Sequence, residues 1–368
     1  MSMPAPRDPA QGSGSTHTAA PSSPALRRAN GAPPDGLARH AVTMAAGAVA
    51  LGITAMAWII RPRLPFGRSE GGDAAGANGK GVDSTATTAT AARNRGFGAI
   101  GEPAAATRCR NLPDGVRVYR DVPYVRGGTD LQRLDLYVNP VPRAPLVVWV
   151  HGGGWHSGSK EWLPIRFLLG HGFSVASLDY RLSDTCVFPA PVQDCKAAIR
   201  FLRASADQFG LYALRIGMAG DAAGGYLVSL IGTSGGVLDF DKGDHLGYSS
   251  RVQAVCSIGG PTNLGLFGYS KPGDPFTKFL GARIQDCPGT IEAASPLTYV
   301  TRDDPPFLLI HGSQDDLVPV AHSQALAAAL REAGCNVTLE VIEGAGHSIP
   351  AGQLEDTLVP FFHKTLAE

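Results

Sequence analysis

The stretch Arg215-Ile-Gly-Met-Ala-Gly-Asp-Ala-Ala-Gly-Gly-Tyr226 sets the tightest constraint on how this chain folds. A short apolar run ends at Gly220, and a helical pattern follows Gly225. A sharp strand-to-helix turn suits that order, because its glycines let neighbouring backbone come closer than a side chain allows. Such a turn needs a buried strand before it and a covering helix after it. In the pattern G-x-S-x-G, the turn lifts one nucleophilic oxygen above the edge of a sheet. Here the tip is Ala222, and a methyl group cannot attack a carbonyl. The chain has the scaffold for a serine nucleophile without the serine.

The sequence around this turn alternates strand and helix patterns. Val116–Val125 and Leu131–Val138 read as an antiparallel pair. Pro145–Val150 (PLVVWV) is a continuous apolar run, as expected for a strand buried on both faces. Further strands are expected at Phe173–Leu178, Arg215–Ala219, Val252–Ile258, Pro306–Ile310 and Val337–Ile342. Apolar residues at helical spacing predict helices over Ala190–Phe209, Val320–Ala333 and Leu354–Leu366. The alternation implies an α/β fold with a mostly parallel sheet of about eight strands and helices on both faces. Sites in such folds lie at the carboxyl ends of the strands.

Residues 1–40 are rich in Pro, Ala, Gly and Ser, so they bury too little apolar surface to offset chain entropy and are expected to be disordered. Residues 41–60 form an uncharged apolar stretch long enough to span a hydrocarbon core as a helix. The expectation is an uncleaved single-pass membrane anchor. A cleaved signal segment competes, but the Ala55-Met56-Ala57 cleavage pattern lies inside the apolar run and the polar lead is long. A buried soluble helix is the third reading. Arginines flank the stretch on both sides and leave its orientation open. Residues 61–110 read as a flexible low-complexity tether, and 111–368 as the globular domain.

Lys+Arg and Asp+Glu are equal at 32 each, which argues against a basic nucleic-acid footprint. Six scattered cysteines show no zinc-type spacing. They read as thiols, with a Cys186–Cys195 pairing as the alternative in an oxidising compartment.

Three motifs stand at strand ends. His151-Gly-Gly-Gly-Trp155 follows PLVVWV. Backbone amides aimed at one point stabilise a tetrahedral oxyanion, so the amides of Gly153, Gly154 and Ala223 are the expected donors. His311-Gly-Ser-Gln-Asp315-Asp316 follows the strand at 306–310. A carboxylate there can fix an imidazole tautomer; Asp315 is the choice, with Asp316 as the competitor. Gly344-Ala-Gly-His347-Ser348 follows the last strand, and His347 alone of ten histidines has the placement of a general base. Asp221, Ser229 and Cys195 are weighed as substitutes for the serine and rejected: one points away, two are buried. No metal-ligand set and no phosphate loop appears.

HGGGW at 151–155, Asp179-Tyr-Arg181, GDxAGG at 220–225, HGxxD at 311–315 and GAGHS at 344–348 come in the order found in α/β hydrolases. The set resembles the HGGG-bearing bacterial esterases of that superfamily, the hormone-sensitive-lipase-like and feruloyl-esterase-like branch, over roughly 111–368. The resemblance implies hydrolysis of a small-molecule carboxylic ester by an acyl-serine route, without a cofactor. It puts the nucleophile position on Ala222, the acid on Asp315 and the base on His347. His151, Trp155, Asp221 and Tyr226 are expected to border the substrate, and 239–250 and 264–290 to shape an acyl pocket. Two explanations of Ala222 compete: an engineered replacement of serine, and a natural loss that leaves a binding or scaffold protein. A peptidase is a further alternative on the same fold.

Overall fold

The computed structural model describes residues 112–366. The expected disordered segment, membrane span and tether lie outside those residues, as does Cys109. Among the described residues no helix is long and apolar enough to cross a membrane.

The strands are β1 (Arg117–Pro123), β2 (Arg133–Val138), β3 (Pro145–Val150), β4 (Ser174–Leu178), β5 (Tyr212–Asp221), β6 (Ala254–Ile258), β7 (Phe307–Gly312) and β8 (Val337–Ile342). They form one sheet in the order β1-β2-β4-β3-β5-β6-β7-β8. Only β2 runs against its neighbours; β4 and β3 to β8 pair in parallel. The helices are α1 (Ala190–Ala204), α2 (Ala206–Phe209), α3 (Ala223–Thr233), α4 (Pro275–Leu280), α5 (Pro288–Ala293), α6 (Ala321–Glu332) and α7 (Ala351–Leu366).

The central strands are buried on both faces, and the period-two alternation of a strand divides their side chains between two cores. Leu146, Val148 and Val150 of β3 face α1, α3 and α6. Val147 and Trp149 face α7. Each fully buried aliphatic side chain here contributes about 1.5–3 kcal/mol over its exposed state. The edge strand β1 carries a bulge between Tyr119 and Val122, which interrupts an otherwise regular hydrogen-bonding edge. α7 packs so closely on β5 that a Cβ at Gly217 would stand 2.7 Å from the Phe362 ring.

The helix expected over Ala190–Phe209 is two helices, parted at Ser205. Phe209 then turns back onto Phe201, and Gly210 closes α2 in the left-handed conformation. Cys186 and Cys195 are free thiols, so the pairing considered for them is not formed. Cys195 is fully buried in α1.

Candidate active site

The turn after β5 has the geometry its sequence calls for. Ala222 has φ 48° and ψ −113°, a region that L-residues other than glycine rarely enter. Its amide donates to the Ile258 carbonyl at 2.8 Å, and its carbonyl accepts from the Tyr226 amide at 2.9 Å, starting α3. A Cβ at Gly224 would fall 2.0 Å from the Val150 carbonyl oxygen. Only glycine there lets α3 meet the end of β3.

The glycine loop after β3 faces this turn. Gly153 (φ 98°) and Gly154 (φ 61°) are both left-handed. Among the described residues none accepts a hydrogen bond from the amides of Gly153, Gly154 or Ala223. His151 props the loop from below. Its Nδ1 lies 2.8 Å from the Gly152 carbonyl, and its ring stacks on Tyr180 at 4.5 Å. Burial lowers the His151 pKa to about 4, so the ring is neutral at neutral pH. Tyr180 donates from its hydroxyl to the His151 carbonyl at 3.0 Å.

At the end of β7, Asp315 is held by two backbone amides. Its Oδ1 accepts from Leu317 at 3.0 Å and from Val318 at 2.9 Å. Its Oδ2 lies 2.8 Å from Nδ1 of His347. Burial pushes the Asp315 carboxyl up, but His311, His347 and the Val318 amide outweigh it, and the net shift is well below the usual range. Asp316, the competitor, is exposed. With Nδ1–H donated to Asp315, the Nε2 lone pair of His347 is available for a proton. The pair stands beside the turn. A Cβ at Gly259 would lie 3.5 Å from Oδ2 of Asp315 and 3.7 Å from the His347 ring. Gly259 directly follows Ile258, the residue that accepts the Ala222 amide.

The BD-FAE family profile matches residues 134–330, more than half of the chain. The chain belongs to the BD-FAE family of α/β hydrolases. It is 32% identical over 242 residues to Esterase LipQ of Mycobacterium tuberculosis (strain ATCC 25618 / H37Rv), covering 62% of this chain and 56% of LipQ. It is 31% identical over 237 residues to Esterase LipC of the same strain, covering 60% of this chain and 58% of LipC. The BD-FAE chain thus spans little over half the length of these relatives. A truncated carbohydrate esterase from gut microbiota superposes with a TM-score of 0.61 at 26% identity, covering 67% of this chain and 95% of that one. These likenesses put the chain among carboxylesterase-like hydrolases.

Of the four residues expected at the substrate, three are buried side chains. His151, Trp155 and Tyr226 are 1%, 2% and 0% exposed. Trp155 stacks on Phe279 at 4.5 Å, and Tyr226 meets both rings edge-on. The Tyr226 hydroxyl donates to the Ala294 carbonyl at 2.7 Å. Trp155, Phe279 and Tyr226 thus form one buried aromatic cluster next to the glycine loop. Asp221 lies against Gly152 of the glycine loop; burial raises its carboxyl, and the Gly152 amide opposes that shift.

The two pocket segments part ways. Within 264–290, Pro275 comes up to Gly154, and Phe276 and Phe279 pack on Trp155, so this segment does adjoin the glycine loop. Segment 239–250 instead runs along α1, where Asp241 pairs with Lys196 and Arg200. Asp241 there is the counter-charge of two buried cations. Ser229 is buried and donates to the Gly225 carbonyl at 2.8 Å, so it offers no substitute oxygen.

The supports of the site lie partly outside the residues that its motifs single out. Lys160 donates its amide to Asp179 at 2.6 Å, and Arg181 pairs with buried Asp194. His311 extends Nε2 toward both the Val318 carbonyl (2.7 Å) and Oδ2 of Asp315 (3.3 Å). The Asp179-Tyr-Arg181 run and the His311 that opens HGxxD were the available signals. Among the described residues no group of His, Cys, Asp or Glu is arranged to hold a metal ion.

Proposed function

We propose that this chain carries a carboxylic ester hydrolase site of the acyl-serine type, and that with Ala222 at the nucleophile position it binds esters with little or no turnover. The observation that carries this reading is the strained backbone of Ala222, φ 48° and ψ −113°, held beside the hydrogen-bonded Asp315–His347 pair. A turn that presents a nucleophile is kept where no nucleophile stands. The esterase names of LipQ and LipC support the substrate class.

The mechanism follows for the Ala222→Ser form. His347 takes the hydroxyl proton on Nε2 while Asp315 holds the opposite nitrogen and stabilises the imidazolium. The oxygen attacks the ester carbonyl. The amides of Gly153, Gly154 and Ala223 receive the developing negative charge. The imidazolium returns its proton to the leaving alcohol. Water, deprotonated by the same histidine, then releases the acid. Without the serine oxygen the first bond cannot form, and loss of a triad serine costs roughly 10⁶-fold in turnover.

The retained loop, acid and base favour removal or recent loss of the serine over a long-abandoned site. In the second reading the chain is a membrane-tethered binding protein, with residues 41–60 as anchor; the specific observation favouring it is Ala222 itself. Alkaline carbonate extraction of membranes tests the anchor: release into the supernatant would sink it.

The deciding experiment compares this chain and Ala222→Ser on short p-nitrophenyl esters. Hydrolysis by the variant alone supports the esterase reading. Inert behaviour of both, across acyl lengths, favours the binding protein. Turnover by the unchanged chain would overturn the role of position 222.

A further inference from the structure

The edge of the sheet opposite His347 carries a second, charged cleft of about 750 Å³, lined in part by Arg143, Tyr212, Leu214, Arg215, Arg251 and Asp303. The topology gathers these residues. Arg143 precedes β3, Arg215 lies near the start of β5 and Arg251 precedes β6. β5 lies between β3 and β6 in the sheet. Neighbouring strands are about 4.8 Å apart, so three arginines enter from one short length of sheet edge.

Their charge is only partly offset, by Asp304, whose carboxyl burial raises and the Arg251 charge pulls down. Among the described residues, Arg143, Arg215 and Arg251 form no ion pair with a carboxylate. Arg143 instead lies over the Tyr212 ring at 4.7 Å and donates to its hydroxyl at 2.9 Å. Behind the cleft a fourth arginine, Arg203, donates to the carbonyls of Ala213, Ser249 and Arg251 and to Oε1 of Gln253, and to no carboxylate. The nearby acids are two. Asp303 sits 3.7 Å from Arg302, and Asp304 accepts from Thr301. Counting Arg302, five cations stand against two carboxylates and leave the cleft positive, and a concave wall focuses that field. Beside them Leu214 is 73% exposed, an apolar surface next to a cationic one.

We propose that this cleft binds a phosphoryl anion, presented either by free phosphate or by the head of an acidic lipid. Planar guanidinium groups match phosphate oxygens in pairs, and Leu214 offers a contact for an adjoining acyl chain. The site is independent of the ester site and of whatever stands at position 222.

Calorimetric titration of the full chain in non-ionic detergent at low salt tests it. The probes are inorganic phosphate, dihexanoyl phosphatidic acid below its micellar concentration, and dihexanoyl phosphatidylcholine. Phosphate should bind, the double change Arg215→Gln/Arg251→Gln should weaken it about ten-fold or more, and Asp303→Asn should tighten it. Phosphatidic acid that binds about ten-fold tighter than phosphate assigns a lipid head; equal affinities assign the free anion. No phosphate binding, equal binding of phosphatidylcholine and phosphatidic acid, or an affinity unmoved by both sets of changes overturns the proposal. Asp303→Asn, a gain of affinity at an exposed residue, keeps the test decisive should the double variant fold poorly.

Discussion

Oδ2 of Asp315 lies 2.8 Å from Nδ1 of His347. That contact orients the imidazole across the end of the sheet, and it joins the ends of β7 and β8, next to the turn after β5. Asp315 is itself fixed, because its other oxygen takes two amides of its own loop. The hydrogen-bonded pair is therefore rigid before any substrate arrives.

In the Ala222→Ser background, Asp315→Asn should lower kcat by about 10⁴-fold, because the wrong imidazole tautomer is then favoured. Asp316→Asn, at an exposed carboxylate, should change it by less than about two-fold. Turnover of p-nitrophenyl acetate by the two variants reads this directly. Equal losses would mean that the acid is wrongly assigned.

Acid should destabilise the fold in two windows. Burial holds His151 and His322 at about 4, below the 6.5 of an exposed histidine. The unfolded chain therefore binds these protons first as pH falls. The contribution of both is complete above about 6.5 and is lost on the way to about 4, at roughly 1.4 kcal/mol per unit of separation. The depressed carboxyl of Asp315 adds a lower window: its contribution is present above the unfolded value near 3.9 and is lost as pH falls below it. Urea midpoints should hold level from about pH 7.5 to 6.5 and then decline toward about pH 4.5. A flat profile would contradict the neutral, buried state of the two histidines.

Ala222→Gly should stabilise the chain by about 1 kcal/mol, since glycine enters this backbone region without the strain that alanine carries, less the extra entropy of the unfolded chain. Thermal denaturation of the pair measures it. A loss of stability would show that the alanine methyl contributes packing that outweighs the strain.

Asp241→Asn should cost about 3–5 kcal/mol, because it strips the counter-charge from Lys196 and Arg200, both almost fully buried. Replacing exposed Asp239 by Asn should cost under about 0.5 kcal/mol. Chemical denaturation of both variants gives the contrast, and similar small losses would mean that water already compensates the two cations.

Local pattern carried much of the fold. β3 and β8 have the bounds that their apolar runs predict, Pro145–Val150 and Val337–Ile342. β6 starts at Ala254, two residues later than its apolar run, since Val252 is buried before the parallel pairing with β5 begins. The turn at 222, the glycine loop, Asp315 and His347 were legible because each is a short motif at a strand end. Partners far apart in sequence were not. The stack of His151 on Tyr180, the Trp155–Phe279–Tyr226 cluster and the hold of Asp241 on α1 join residues that no periodicity links. Within 239–250, expected to shape an acyl pocket, Asp241 clamps two cations of α1 instead.

The conformation at position 222 is maintained by contacts that do not involve its side chain: the amide to Ile258, the carbonyl to Tyr226, and the glycine at 224 against Val150. The joint would thus hold out any small side chain in the same way. An alanine codon becomes a serine codon by one base change. On the proposed reading, a silent and an active form of this chain are neighbours in mutational space, and a population of such genes can cross between them in either direction without rebuilding the site.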